Sequence, residues 1–130
     1  MKKRLPVERR RSPRVEGQLS LKLTAPKFGL ATETKNVSAR GVYCRVDRHI
    51  PFMTKLKVSL VVPIQQGSQT VSRTIHGEAL VVRSESQLVK DGQEKHFVAL
   101  FFERMKPSDR LHLERYVQAA LAARPLVSQR

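Results

Sequence analysis

The sequence predicts a mainly β fold: a small antiparallel barrel of about six strands, with one C-terminal α-helix and a flexible basic N-terminal arm. Three observations lead there. Apolar residues recur at every second position in short runs between Val15 and Glu103, the period of a strand with one buried face. Gly, Pro, Asn and Asp separate these runs. After Pro107 the apolar period lengthens to that of a helix.

The chain has 130 residues, enough for one core but too few for two. Residues 1–14 hold seven Lys or Arg against the single Glu8, with Pro6 and Pro13 opposing helix, and read as a solvated arm. Residues 15–124 are the folded unit and 125–130 a tail.

From Val15 to about Ala25, Leu19, Leu21 and Leu23 alternate with Ser20 and Lys22, giving a first strand. Pro26-Lys27-Phe28-Gly29 supplies a turn, and Leu30 to Val37 returns as the second strand of a hairpin. Val42, Cys44 and Val46 form the inward set of a third strand, and Lys55 to Leu60 alternates again as a fourth. Val71–Arg83 and His96–Glu103 are two further strands. The polar stretch Ser84–Lys95 separates them, with Asp91-Gly92 as its turn. Pro107-Ser108-Asp109 starts the helix, whose stripe of Leu113, Tyr116, Val117, Ala120 and Leu121 docks on the barrel until Pro125.

Composition narrows the functional classes. Lys plus Arg number 25 against 11 Asp plus Glu, a formal charge of +14, so the surface field favours phosphates and polyanions. Cys44 is the sole cysteine. An intramolecular disulfide is therefore excluded, and the parity of Cys44 with Val42 and Val46 makes it a packed thiol. His49, His76, His96 and His112 lack metal-ligand spacing, so no metal is expected. No nucleophile is paired with a base, which argues against an enzyme. The basic start lacks the apolar segment of a signal peptide, and the run Leu56–Ile64 is far shorter than the ~20 residues of a spanning helix. A cytoplasmic protein without a transmembrane segment is expected.

Two motifs carry the functional reading. The arm contains Arg10-x-x-x-Arg14 behind Arg9, and the second strand ends in Asn36-Val37-Ser38-Ala39-Arg40-Gly41, an N-x-S-x-x-G. If Leu23 faces Leu30, antiparallel pairing puts Leu21 opposite Thr32, Leu19 opposite Thr34 and Arg14 opposite about Ala39. Both motifs then share one barrel end.

With these motifs in this order, the chain resembles the PilZ domain family of cyclic di-guanylate receptors over approximately Arg9 to Ala122. The resemblance implies that Arg10 and Arg14 grip phosphate and guanine through their guanidinium forks, with Arg9 as a further cationic contact or stacking group. It implies hydrogen bonds from Asn36 and Ser38 to the polar edge of guanine, and at Gly41 a positive φ or a close approach of backbone to base. Arg83, on the strand from which relatives stack a side chain on the nucleotide, is a weaker candidate. Two positions depart from the common pattern: Asn36 replaces the usual Asp, and Ala99 stands where the late strand often has Gly, a matter of packing more than of ligand contact.

The resulting expectation is a cyclic di-GMP receptor, without a cofactor, that orders its arm around the messenger and signals through an unidentified protein partner. Motility, biofilm or polysaccharide control is implied by the resemblance alone. Two alternatives stay open. One is a nucleic-acid-binding barrel, disfavoured because five Phe, two Tyr and no Trp offer few stacking platforms. The other is a degenerate PilZ adaptor that binds no nucleotide.

Overall fold

A computed structural model of the chain describes residues 13–89 and 92–123. The strands are β1 (Val15–Glu16), β2 (Ser20–Ala25), β3 (Phe28–Val37), β4 (Gly41–Val46), β5 (Lys55–Gln66), β6 (Gln69–Leu88) and β7 (Glu94–Met105), followed by helix α1 (Pro107–Ala122). Antiparallel pairing runs β3-β2-β5-β6-β7-β4 and closes through β3–β4, giving a six-stranded barrel. Closure pairs the barrel strands on both sides, while residues 61–66 of β5 and 69–76 of β6 project beyond it as a hairpin paired only with itself.

The alternation seen in the sequence is the alternation of burial. Leu21 and Leu23 of β2, Val42, Cys44 and Val46 of β4, and Leu56, Val58, Leu60 and Val62 of β5 all point into one core. Ile50, from the loop between β4 and β5, joins it. At the other end α1 contributes Leu113 and Val117, with Tyr116, Ala120 and Leu121 packed against the same core, as the helical stripe predicts. Burial also explains the chemistry of Cys44, whose thiol is pushed up to about 12 because the thiolate would lose its hydration.

The β2–β3 register agrees with expectation, with Leu23 opposite Leu30 and Leu21 opposite Thr32. The expected first strand, however, is two segments. Pairing breaks at residues 17–19, where the buried Thr34 hydroxyl accepts the Leu19 N–H at 3.0 Å and donates to the Gly17 carbonyl. Beyond the break β1 resumes one residue out of step, with Val15 opposite Val37 and Glu16 opposite Asn36. Extending this register brings Arg14 opposite Ser38, so the expected alignment with Ala39 is corrected by one position.

β6 is also longer than predicted. Residues 84–88 continue the strand opposite residues 94–98 of β7. Their side chains are partly or fully exposed, which removes the two-residue period that would have marked a strand. The tight turn between β5 and β6 uses Gly67 at φ 62. A turn does follow β6, where the Gly92 N–H donates to the Val89 carbonyl at 3.0 Å.

The helix starts without a side-chain cap: Lys106 is the N-cap residue and Pro107 opens the first turn. Asp109 does something else. It is buried, and its Oδ2 accepts the His76 backbone N–H of β6 at 3.1 Å. That bond fastens the first turn of α1 to the sheet just past the last β6–β7 pair, Gly77–Met105.

Candidate functional site

The turn from β3 to β4 is built by Ser38. Its Oγ accepts the backbone N–H groups of Arg40 and Gly41, both at 3.1 Å, and donates to the Gly41 carbonyl at 3.3 Å. The Ser38 N–H also donates to that carbonyl at 2.9 Å. The serine in the motif therefore serves its own backbone first, in the manner of a serine turn.

Gly41 is required for packing. Its φ is not positive; among the described glycines only Gly67 and Gly92 have a positive φ. A Cβ at this position would lie 2.0 Å from the Leu100 carbonyl oxygen of β7. The close approach is thus strand to strand, and the positive-φ expectation is corrected. Two outside bonds steady the turn: Phe102 donates its N–H to the Arg40 carbonyl at 2.8 Å, and Arg110 of α1 donates Nη1 to the Ala39 carbonyl at 3.0 Å.

Beside this turn lies a recess of about 270 Å³ whose lining includes Arg14, Asn36, Ser38, Arg40, Gly41 and Tyr43. Val82, Ala99 and Phe101 add apolar wall. The last arginine of R-x-x-x-R and the three named residues of N-x-S-x-x-G therefore meet at one place. Arg9 and Arg10 fall outside the described residues. A second recess of about 580 Å³ shares Arg40 and Phe101 and runs under Pro13 toward Arg110 and Glu114 of α1. Arg40 stands between the two.

A larger trough, of about 840 Å³, lies on the wall of β5 and β6 near Lys57, His76, Arg104 and Lys106. It is an open groove in the sheet face. The smaller recess is the better candidate because it is where residues of both sequence motifs, Arg14 and Asn36, Ser38 and Gly41, line one space.

Arg83 does not line the recess. A bulge between Val81 and Arg83 turns Val82 outward, and Arg83 pairs with Glu85, Nε to Oε2 at 3.1 Å. Its guanidinium lies 5.6 Å from the centre of the Tyr43 ring. Tyr43 donates its hydroxyl to Glu85 Oε1 at 2.8 Å and stacks on Phe97, centroid to centroid 5.8 Å. Burial, then the bond to Glu85, raises the phenol above its ordinary pKa. Tyr43 is thereby a fixed, neutral wall of the recess.

The sequence reading missed Arg40, Tyr43, Val82 and Phe101. Arg40 occupies a variable position of its motif, and the other three converge only when β4, β6 and β7 pair. Ala99, read as a packing position, belongs to the recess wall as well.

A sequence model of the family described as PilZ domain matches residues 8–119. The chain belongs to the PilZ family. A search of curated proteins finds no match. Among solved structures, the PilZ fold seen here is similar to the Bacillus subtilis inhibitor of motility MotI/DgrA, with a TM-score of 0.67 and 22% identity over 89% of this chain and 53% of that one. It is similar also to the PilZ domain of Escherichia coli YcgR with c-di-GMP, with a TM-score of 0.63 and 12% identity over 88% and 92% of the two chains. Klebsiella MrkH in its apo state matches with a TM-score of 0.64 and 12% identity over 93% and 53%. The chain spans about half the length of MotI and MrkH. Among the described residues no helix is long and apolar enough to cross a membrane, and no group of metal-ligating side chains converges.

Proposed function

We propose that this PilZ protein is a receptor for cyclic di-GMP, with the nucleotide held between the β3–β4 turn and the arginine arm. The observation that carries the reading is that Arg14, Asn36, Ser38 and Gly41 line one recess. The YcgR PilZ domain, whose fold this chain shares, was solved with c-di-GMP.

The chemistry follows from the groups present. Arg14 offers a planar fork suited to a phosphate or to the O6/N7 edge of guanine, and Arg10 and Arg9 bring further forks on the same arm. Arg40, exposed between the two recesses, adds a cation that the turn holds in place. Asn36 presents an amide to the base edge, a weaker acceptor than a carboxylate for guanine's paired donors. Ser38 and Gly41 act as positioning residues: the hydroxyl shapes the turn and the missing side chain lets β4 meet β7. At about 270 Å³ the recess falls just below the ~300–1,000 Å³ typical of ligand clefts, so in this reading the arm supplies the remaining enclosure.

Binding of this kind orders a basic segment and changes the surface beside it, which is how a receptor without catalysis transmits a signal. The output in this reading is contact with a protein partner, and the setting is the cytoplasm.

Calorimetric titration with cyclic di-GMP, beside GTP and cyclic di-AMP, tests the proposal. Arg14→Ala removes charge-assisted hydrogen bonds to the nucleotide worth roughly 1.5–3 kcal/mol, so affinity falls about 10- to 100-fold. No binding heat from the folded parent protein would refute the receptor reading and favour the adaptor.

A further inference from the structure

Phe52 and Met53, in the loop between β4 and β5, are adjacent, apolar and 64% and 55% exposed. Met53 has φ 75 and is the one non-glycine with positive φ among the described residues. A side chain bearing a Cβ adopts that conformation only when its surroundings impose it. Here they do. Ile50 is sunk in the core on one side of the tip. On the other, the Met53 N–H donates to the Val81 carbonyl at 2.8 Å, and the Thr54 carbonyl accepts the Val81 N–H at 2.9 Å. The Thr54 hydroxyl donates back to the Pro51 carbonyl at 2.7 Å. The loop is a braced pedestal that holds two apolar side chains out in water.

The surroundings of the tip are cationic. β2 and β4 both run antiparallel to β3, so the β2–β3 turn and the β4–β5 loop lie at the same barrel end. The Arg48 guanidinium, 4.5 Å from the centre of the Phe28 ring, joins them. Lys27, Arg48 and Lys55 are all exposed around this end. The acid of the loop, Asp47, is paired with Arg48 at 2.7 Å.

We propose that the Phe52–Met53 tip is an interfacial anchor for an anionic lipid bilayer. The two side chains enter the boundary between headgroups and acyl chains, and Lys27, Arg48 and Lys55 meet the lipid phosphates. A bilayer suits the tip better than a protein groove does. Two projecting side chains are far less than the roughly 800 Å² per partner of a stable protein interface. Shallow insertion plus several cation–phosphate contacts is enough for reversible membrane attachment. The proposal does not depend on nucleotide binding.

The chain contains no tryptophan, so Phe52→Trp introduces a sole indole reporter. With vesicles of phosphatidylglycerol and phosphatidylcholine its emission shifts to the blue and is quenched by brominated acyl chains, whereas phosphatidylcholine vesicles alone leave it unchanged. The double variant F52S/M53G keeps every charge and gives the left-handed position the residue that prefers it, so its thermal midpoint is equal or higher. Its partition into the mixed vesicles falls about tenfold or more. Lys55→Glu weakens partition by roughly fivefold or more. Equal partition of F52S/M53G and the parent would mean adsorption by charge alone and overturn the proposal. So would an unquenched indole, or a parent that does not bind the mixed vesicles.

Discussion

Gly41→Ala distinguishes a residue kept for the ligand from one kept for the barrel. The added Cβ would sit 2.0 Å from the Leu100 oxygen, 3.1 Å from its carbonyl carbon and 3.4 Å from the Phe101 Cα. All three are backbone atoms, so no side chain can rotate away. Such contacts essentially never fall below 3.0 Å, and the difference, 3.0 minus 2.0, requires β4 to withdraw from β7 by about 1 Å. A hydrogen bond of ~2.9 Å stretched by that amount is no longer one. The bonds at risk are the ladder contacts beside Gly41–Phe101 and the Phe102 to Arg40 bond at 2.8 Å. Losing two or three at about 1 kcal/mol each predicts a destabilisation of about 2–3 kcal/mol, within the usual range for overpacking. Urea unfolding followed by far-UV circular dichroism measures it as a lower midpoint with an unchanged slope. A variant within about 0.5 kcal/mol of the parent would refute the packing account. If that variant also lost nucleotide binding, Gly41 would belong to the ligand after all.

Thr34→Val deletes the hydroxyl that bridges Leu19 and Gly17 while keeping its shape, and strands a buried N–H; denaturant unfolding should report a loss of about 2–4 kcal/mol, and a loss under ~0.5 would contradict the bridging role. The buried Cys44 thiol gives a pH signature. Its folded value of about 12 lies above the ordinary 9.0, so the unfolded chain ionises first. This contribution is complete below pH 9 and declines as pH rises toward 12. A Cys44→Ala variant should lose less stability across that window than the parent, and parallel curves for the two would refute the assignment.

Much of the barrel was legible because inward positions in β2, β4 and β5 alternate cleanly, and because the Leu23–Leu30 register follows from a short turn. The offset at Arg14 was not legible. It depends on a hydroxyl from β3 replacing ladder bonds between residues 17 and 19, an event between residues distant in sequence. The end of β6 escaped because a strand with no buried side chain carries no period. At the site, the motifs located Arg14, Asn36, Ser38 and Gly41, but motif letters do not say whether a side chain faces a ligand or its own backbone. For Ser38 the hydrogen bonds decide, and for Gly41 the Leu100 carbonyl does. Tyr43, Val82 and Phe101 come from three separate strands, and only barrel closure assembles them into one wall.

The two residues of β1 have a consequence out of proportion to their length. Val15 and Glu16 are pinned to Val37 and Asn36, so the chain enters the barrel beside the recess that Arg14 and Asn36 line. Arg10 lies five residues before Val15, and a chain extends by at most ~3.6 Å per residue, so it can stray no more than about 18 Å from that anchor. One molecule in a sphere of that radius corresponds to a local concentration on the order of tens of millimolar. An anion bound in the recess would meet Arg10 at a concentration set by the five-residue spacing to Val15, so lengthening that spacing is expected to weaken its contribution.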